Sequence, residues 1–429
     1  MKLKERFNNS RLLKPLATLL SGNVVAQGLT MLSYLIITRL YTPDDIGAYN
    51  IFYSYIELLI IISTCKYELA PVIADSDREA AAVAKFSLRL NAIVSAIILL
   101  VVAVLSYYGL LPAKLRQIGW VTILIPFLVF FCGTTRIYAS LYNRYKVYRQ
   151  IALSDISISL GGALSKIAMG PIRFLHNIGL PLGTVIGQAI GNVNYLIALR
   201  KLNLPTGITR QEMKVAVQKH KKFPLYTAPK DFIDALSYNL PIIWLPMAMT
   251  VTNAEVGLFV MALLFTYRPV NVFNTAAERV LYANIADRIK SQLPVGAQVS
   301  KFVAMLNLIA IPVFLTLFFF AEPVFTVLFG SQWSGSAPYL HAIIPWMLIL
   351  LTSNSLLCVP YAFSKQHIEL VFTVMQLVLR VAALGIGLSH RSFLLAIQLY
   401  SVASALTALA RIAFYAAVVY RYDHSIANK

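Results

Sequence analysis

Twelve stretches of roughly 20 predominantly apolar residues follow one another along the chain, and this repetition fixes the fold class before anything else does. They lie near 15–38, 46–65, 87–111, 118–138, 151–171, 178–199, 228–250, 255–277, 302–321, 338–361, 368–388 and 392–419. A helix of about 20 apolar residues spans a hydrocarbon core. Inside lipid the backbone must satisfy its own polar groups, which helices do segment by segment. Of 429 residues, 58% are hydrophobic and only 13% charged. A soluble domain carries about 25% charged residues, so this chain lacks the polar surface for a water-soluble particle. The expected fold is an all-α polytopic membrane protein of about twelve transmembrane helices.

Orientation follows from the cations. The basic N-terminal segment (Lys2, Lys4, Arg6, Arg11, Lys14) precedes an uncharged run from Pro15 to Thr38. That run is too long for a signal-peptide core and lacks a small-residue cleavage site, so it is expected to persist as the first helix. With the N-terminus in the cytoplasm, loop Lys and Arg residues divide 25 to 5 in favour of that side. The positive-inside rule then places both termini there. It also accounts for the net charge of +19 without a nucleic-acid partner.

The most basic loop, 201–224, follows the sixth stretch and reads as a cytoplasmic linker between an N-terminal lobe (1–200) and a C-terminal lobe (225–429). Asp45-Ile46-Gly47-Ala48-Tyr49 opens the second stretch, and Glu255-Val256-Gly257-Leu258-Phe259 opens the eighth. Six helices separate these fragments, so the repeat is parallel, related by an axis along the membrane normal. Two six-helix lobes around a central cavity are the expected arrangement.

Enzymatic signatures are lacking. The six histidines form no pair at helical ligand spacing, and neither a phosphate-binding lysine loop nor a nucleophile elbow occurs. Asp75-Ser76-Asp77 reads as a polar loop capping the helix that continues through Glu79. Cys65, Cys132 and Cys358 are widely spaced in or beside apolar stretches and read as packed free thiols. No metal or cofactor is expected, and a transporter is favoured over an enzyme.

Seven basic residues lie within or close to the apolar stretches: Arg89, Arg136, Lys166, Lys230, Arg268, Arg380 and Arg411. A cation at the bilayer centre costs at least ~2.5–3.5 kcal/mol and normally faces a partner or a wet cavity. Residues near helix ends can instead snorkel, which suits Arg89 and Arg411. Lys166, Arg268 and Arg380 lie nearer mid-helix. Each belongs to a polar stripe of helical period: Asp155, Ser159, Gly162 and Lys166; Arg268, Asn271, Thr275 and Glu278; Glu369, Thr373, Gln376 and Arg380. Asn23, Gln27, Thr30 and Tyr34 make a fourth. Interhelical hydrogen bonding explains the amides and hydroxyls, but the excess of cations calls for anions from elsewhere. A hydrated, positively charged central cavity is therefore expected. Gly179, Gly183, Gly187 and Gly191 form a small-residue face suited to close helix approach or sliding. Tyr267-Arg268-Pro269 places a helix-kinking proline beside a cation.

These features lead to a family resemblance. Arg39-Leu40-Tyr41-Thr42-Pro43 with Asp45-Ile46-Gly47, Lys66-Tyr67-Glu68-Leu69-Ala70, and Asn143-Arg144-Tyr145-Lys146 with Tyr148-Arg149-Gln150-Ile151-Ala152 resemble loops of the polysaccharide (O-antigen) flippases. Asn239-Leu240-Pro241, Gly257-Leu258-Phe259, Pro269, Leu328-Phe329-Gly330-Ser331-Gln332-Trp333 and Pro345-Trp346 are similar to later parts of that family. It belongs to the multidrug/oligosaccharidyl-lipid/polysaccharide exporter superfamily. The resemblance implies alternating access in the bacterial inner membrane and a substrate made of oligosaccharide units on a polyprenyl diphosphate. Membrane lipid and other polysaccharide-assembly proteins are the implied partners.

Since arginine binds phosphate oxygens bidentately, Arg268, Arg380, Lys166 and Arg136 are the expected phosphate or acidic-sugar contacts. Tyr34, Asn271 and Gln376 are candidate sugar hydrogen-bonders, and Asp155 and Glu278 candidate ion partners or proton-coupling groups. Lys66 and Glu68 form either a gate or a structural ion pair at a cytoplasmic helix end. The rivals are a cation-coupled small-molecule exporter, whose cavity should be acidic, and a polymerase or ligase of lipid-linked glycans, which should carry a long outer loop. A non-transporting scaffold has no sequence feature in its favour.

Overall fold

Helix starts in the two halves are built alike. Thr42 caps the helix Pro43–Thr64 in a capping box, its hydroxyl accepting from the Asp45 N–H while the Asp45 carboxylate accepts from the Thr42 N–H. Thr252 and Glu255 do the same for the helix Asn253–Lys290. Such boxes satisfy N–H groups that a helix start leaves open. The two fragments that read as a repeat in sequence thus open their helices with the same capping chemistry, which Thr209 and Glu212 also use at the helix Arg210–Lys219.

The computed structural model describes residues 13–199, 202, 204–363, 365 and 367–427, with side chains except at 13–23, 272, 273, 275–280, 283, 286, 361 and 367. Fourteen helices organise them, joined by shorter helical turns. They are α1 (Leu13–Leu40), α2 (Pro43–Thr64), α3 (Asp77–Tyr107), α4 (Leu124–Arg144), α5 (Tyr148–Met169), α6 (His176–Leu199) and α7 (Arg210–Lys219). The second group is α8 (Ala228–Ile243), α9 (Asn253–Lys290), α10 (Gly296–Phe319), α11 (Ala321–Phe329), α12 (Ala337–Ser355), α13 (His367–Ser389) and α14 (Phe393–Ala427). No strand occurs among the described residues.

Nine helices among the described residues are long and apolar enough to cross a membrane, and Val24–Leu40 is a shorter apolar stretch. The seventh and eighth expected spans correspond to α8 and α9. α8 has 16 residues and begins with Lys230, Asp231 and Asp234, while the apolar part of α9 runs into residues outside the described side chains. The architecture is an all-helical, multi-pass membrane fold.

Two compact units are present, Met1–Leu236 and Ser237–Lys429. In the first, α5 packs on α6 and α1, and α4 on α2, α3 and α6. The glycine face of α6 lies against α5. A Cβ on Gly187 would stand 2.6 Å from the Ile158 carbonyl oxygen and 2.8 Å from Gly162 Cα. Only hydrogen fits there. In the second unit, α14 packs on α13 and α12, and α12 on α9 and α10.

α13 shows how the sequence sorts its faces. Glu369, Thr373 and Arg380 are 6%, 2% and 4% exposed, whereas Val371 and Val378 are 64% and 60% exposed. Polar groups point into the protein and apolar ones outward, as lipid requires.

Candidate functional site

In the second unit, Arg380 lies in a box of hydroxyls and aromatic faces. Its Nε donates to Ser404 Oγ at 2.8 Å and one terminal nitrogen to Ser237 Oγ at 3.0 Å. The guanidinium sits 4.5 Å from the Tyr400 ring centroid and 5.3 Å from that of Trp346. Tyr400 in turn directs its hydroxyl at the Ser237 carbonyl, 3.3 Å away. Four helices build the box: α13 supplies the arginine, α14 Ser404 and Tyr400, α12 Trp346 and α8 Ser237. Its electrostatic neighbours are Tyr400, Tyr267, Arg411 and Tyr238. No carboxylate is among them. Aromatic faces pack closely around the guanidinium.

Eleven residues before Arg380 on the same helix, Glu369 accepts a 2.5 Å hydrogen bond from Tyr415 and lies 3.7 Å from Arg411 Nε. Arg411 also rests over the Phe372 ring, 5.8 Å from its centroid. The helix-end snorkelling expected of Arg411 is therefore replaced by a buried pairing.

The fifth helix of the first half repeats this pattern. Asp155, Ser159, Gly162 and Lys166 have the same spacing as Glu369, Thr373, Gln376 and Arg380. Lys166 Nζ stands 5.1 Å from the Tyr49 ring centroid, and Tyr49 hydrogen-bonds Thr184 at 2.8 Å. The Lys166 carbonyl accepts from the Tyr41 hydroxyl at 2.9 Å, fixing the end of α5 against the α1–α2 connection. Asp155 is not the partner of Lys166, because eleven residues of helix separate them by about 16 Å. Its electrostatic neighbour is Tyr195 on α6. On α2, Tyr49, Tyr53 and Glu57 share a face, and Glu57 and Arg136 both act electrostatically on Tyr53 and Cys132. Arg136 is exposed.

The other predicted residues are less concentrated. Arg268 is half-buried, without an ion pair or hydrogen bond among the described residues, and α9 continues through Pro269. Asn271 is exposed, and Tyr34 and Gln376 are half-buried. The side chain of Glu278 lies outside the described residues. The glycine face belongs to helix packing, and Tyr49, Tyr400 and Trp346 were not expected at a site. Only the α2 triad at i, i+4 and i+8 carried a periodic signal for them.

Lys66 and Glu68 belong to an ionic cluster at the end of α2. Lys66 Nζ is 2.7 Å from Asp231 on α8 and 3.9 Å from Glu68. Lys230 pairs with Asp234 at 2.7 Å. Cys65 and Lys66 both adopt left-handed backbone, φ 47° and 60°, which turns the chain sharply beneath α2. A second cluster docks α7 on the start of α3. Lys219 reaches Asp75 at 2.6 Å and Glu79 at 2.8 Å, His220 reaches Glu79 at 2.7 Å, and Arg78 pairs with Glu212. Ser76 caps α3 by accepting from the Glu79 N–H, as its loop position implied. The Arg78 and Thr209 contacts pull the Glu212 carboxyl down to about 2, and the Lys219 ammonium lowers that of Asp75. No group of three or more metal-ligating side chains occurs among the described residues.

Solved structures share this fold. A lipid II flippase MurJ in an inward closed conformation superposes with TM-score 0.69 at 13% identity, over 94% of this chain and 89% of that one. An inward-facing multidrug resistance MATE family transporter of the MOP superfamily gives 0.67 at 12% identity, over 93% and 96%. A MOP superfamily transporter from Pyrococcus furiosus gives 0.64 at 12%, over 95% of each chain. The fold is thus that of MOP superfamily transporters.

No curated protein matches the sequence significantly. The family model described as polysaccharide biosynthesis protein matches residues 36–338. The chain belongs to that family, whose model spans most of its length.

Proposed function

We propose that this protein is a flippase carrying polyprenyl-diphosphate-linked oligosaccharide units, the repeat units of O-antigen or a related surface polysaccharide, across the bacterial inner membrane. The cycle is one of alternating access, with both termini in the cytoplasm. The observation that carries the reading is Arg380, 4% exposed and without a carboxylate neighbour among the described residues. A buried cation is costly unless it is paired, and an anionic headgroup supplies the pair.

Arg380, Lys166, Arg268 and Arg136 take the phosphate or acidic-sugar roles in this reading, and Tyr34, Asn271 and Gln376 the sugar roles. Asp155 and Glu278 serve as partner or coupling groups. Lys66 and Glu68 hold a helix junction closed, in an ionic cluster completed by Asp231. An exporter of organic cations fits less well, because the same buried cation would repel its cargo. The test is leaflet-specific accessibility of a lipid-linked glycan in proteoliposomes. The glycan should redistribute between leaflets with the protein present, and unchanged sidedness with folded protein would defeat the proposal.

A further inference from the structure

Two guanidinium groups of the second unit have unfilled donors. Arg380 uses Nε and one terminal nitrogen on Ser404 and Ser237, and its remaining N–H groups have no partner among the described residues. Arg411 Nε is buried without a hydrogen-bond partner. Its contact with Glu369, at 3.7 Å, is an ion pair beyond hydrogen-bond reach. Buried donors are filled in the great majority of cases, yet Arg411 Nε is not, and Arg411 and Arg380 lie near enough to act on each other electrostatically. Ser404, which holds Arg380, and Arg411 lie seven residues apart on one face of α14, about 10 Å along its axis. Arg380 and Arg411 against Glu369 leave one net positive charge.

We propose that Arg411 is a second phosphate-binding residue, held in reserve by Glu369 and recruited when a diphosphate reaches Arg380. The inference rests on the function proposed above and concerns the same site. One phosphoryl group satisfies Arg380. The second offers Arg411 charge-assisted hydrogen bonds that the loose contact with Glu369 does not provide. Glu369 keeps the 2.5 Å hydrogen bond from Tyr415 when Arg411 leaves, so the carboxylate remains held. The exchange makes the site selective for two linked phosphates over one, because only the second phosphate pulls Arg411 from its counter-ion. The first half has the same acid eleven residues before its cation, but Asp155 has no basic group within ion-pair distance among the described residues. The exchange therefore belongs to the second half alone.

The test is calorimetric binding of inorganic pyrophosphate and of inorganic phosphate to the purified full-length protein. Arg411→Met should weaken pyrophosphate about tenfold and leave phosphate within about twofold. Glu369→Gln, which frees Arg411, should tighten pyrophosphate several-fold, and Arg380→Met should weaken both ligands. If Arg411→Met does not fold, Arg411→Lys serves in its place: it keeps the charge, loses the fork, and should also narrow the preference for pyrophosphate. Equal losses for both ligands in the Arg411 variants, no tightening in Glu369→Gln, or no pyrophosphate binding by the wild type would each overturn the exchange. Transport is read separately. Flipping without this binding pattern would remove the exchange and leave the flippase reading intact, and the pattern without flipping would do the reverse.

Discussion

Replacing Arg380 with methionine separates a structural cation from a functional one. The guanidinium gains about 2 kcal/mol from desolvated aromatic faces and about 1.5–3 kcal/mol from each charged hydrogen bond, made here to Ser404 and Ser237. Against this stands a desolvation cost of several kcal/mol per buried ion. No carboxylate among the described residues offsets that cost, so gains and costs nearly cancel. Methionine forfeits both, fills similar volume, and leaves Ser404 bonded to the Tyr400 carbonyl at 2.7 Å. Stability should therefore change by no more than about 1–2 kcal/mol. Transport should fall about ten- to hundredfold, the worth of one charge-assisted phosphate contact of about 1.5–3 kcal/mol. Thermal denaturation in detergent gives the first quantity and initial flipping rate per folded molecule the second. A destabilisation beyond about 3 kcal/mol with transport per folded molecule intact would mean that Arg380 is retained for packing, and the reasoning would fail.

Further outcomes follow from other parts of the molecule. Gly187→Ala forces its methyl group against the Ile158 and Gly162 backbone and should cost about 1–3 kcal/mol by overpacking. Gly385→Ala, with no atom within 4 Å of the new Cβ, should be neutral or stabilising; equal melting of the two variants would contradict the close α5–α6 packing. Lys66→Met leaves Asp231 and the 3% exposed Glu68 without their shared cation, so a double-mutant cycle with Asp231→Asn should show coupling of about 1 kcal/mol or more. Additive losses would show that the pair is idle. The docking of α7 should persist well into acid. Glu212 and Asp75 have carboxyls lowered in the folded protein, so their contribution is full above the unfolded range near 4. It is lost as pH falls toward about 2, the folded value of Glu212. Hydrogen exchange in 210–219 should be slow at pH 4 and accelerate only below it, once intrinsic rates are corrected; release of the segment at pH 5 would contradict this.

Much of the fold was legible in sequence because lipid imposes one dominant rule. The twelve apolar stretches fall on α1–α6, α8–α10 and α12–α14. Helical period alone put Glu369, Thr373 and Arg380 on one buried face, since an apolar solvent reverses the usual sorting of side chains. The partners were not legible. Trp346 and Tyr400 come from helices that no spacing rule ties to Arg380, and buried aromatic residues look like ordinary packing in a sequence. Lys66 has an acidic neighbour two residues away in Glu68, yet its shorter contact is with Asp231, brought near by folding. Arg411 read as a helix-end residue, because its pairing with Glu369 depends on how α13 and α14 pack.

The most direct measurement compares, in the same proteoliposomes, flipping of a glycan on polyprenyl diphosphate with flipping of the same glycan on an uncharged polyprenyl carrier. Rapid movement of the charged form and little movement of the neutral one would match a protein whose buried cations await an anion. Equal rates for both would show that the charge of the headgroup plays no part, and the account would be contradicted at its centre.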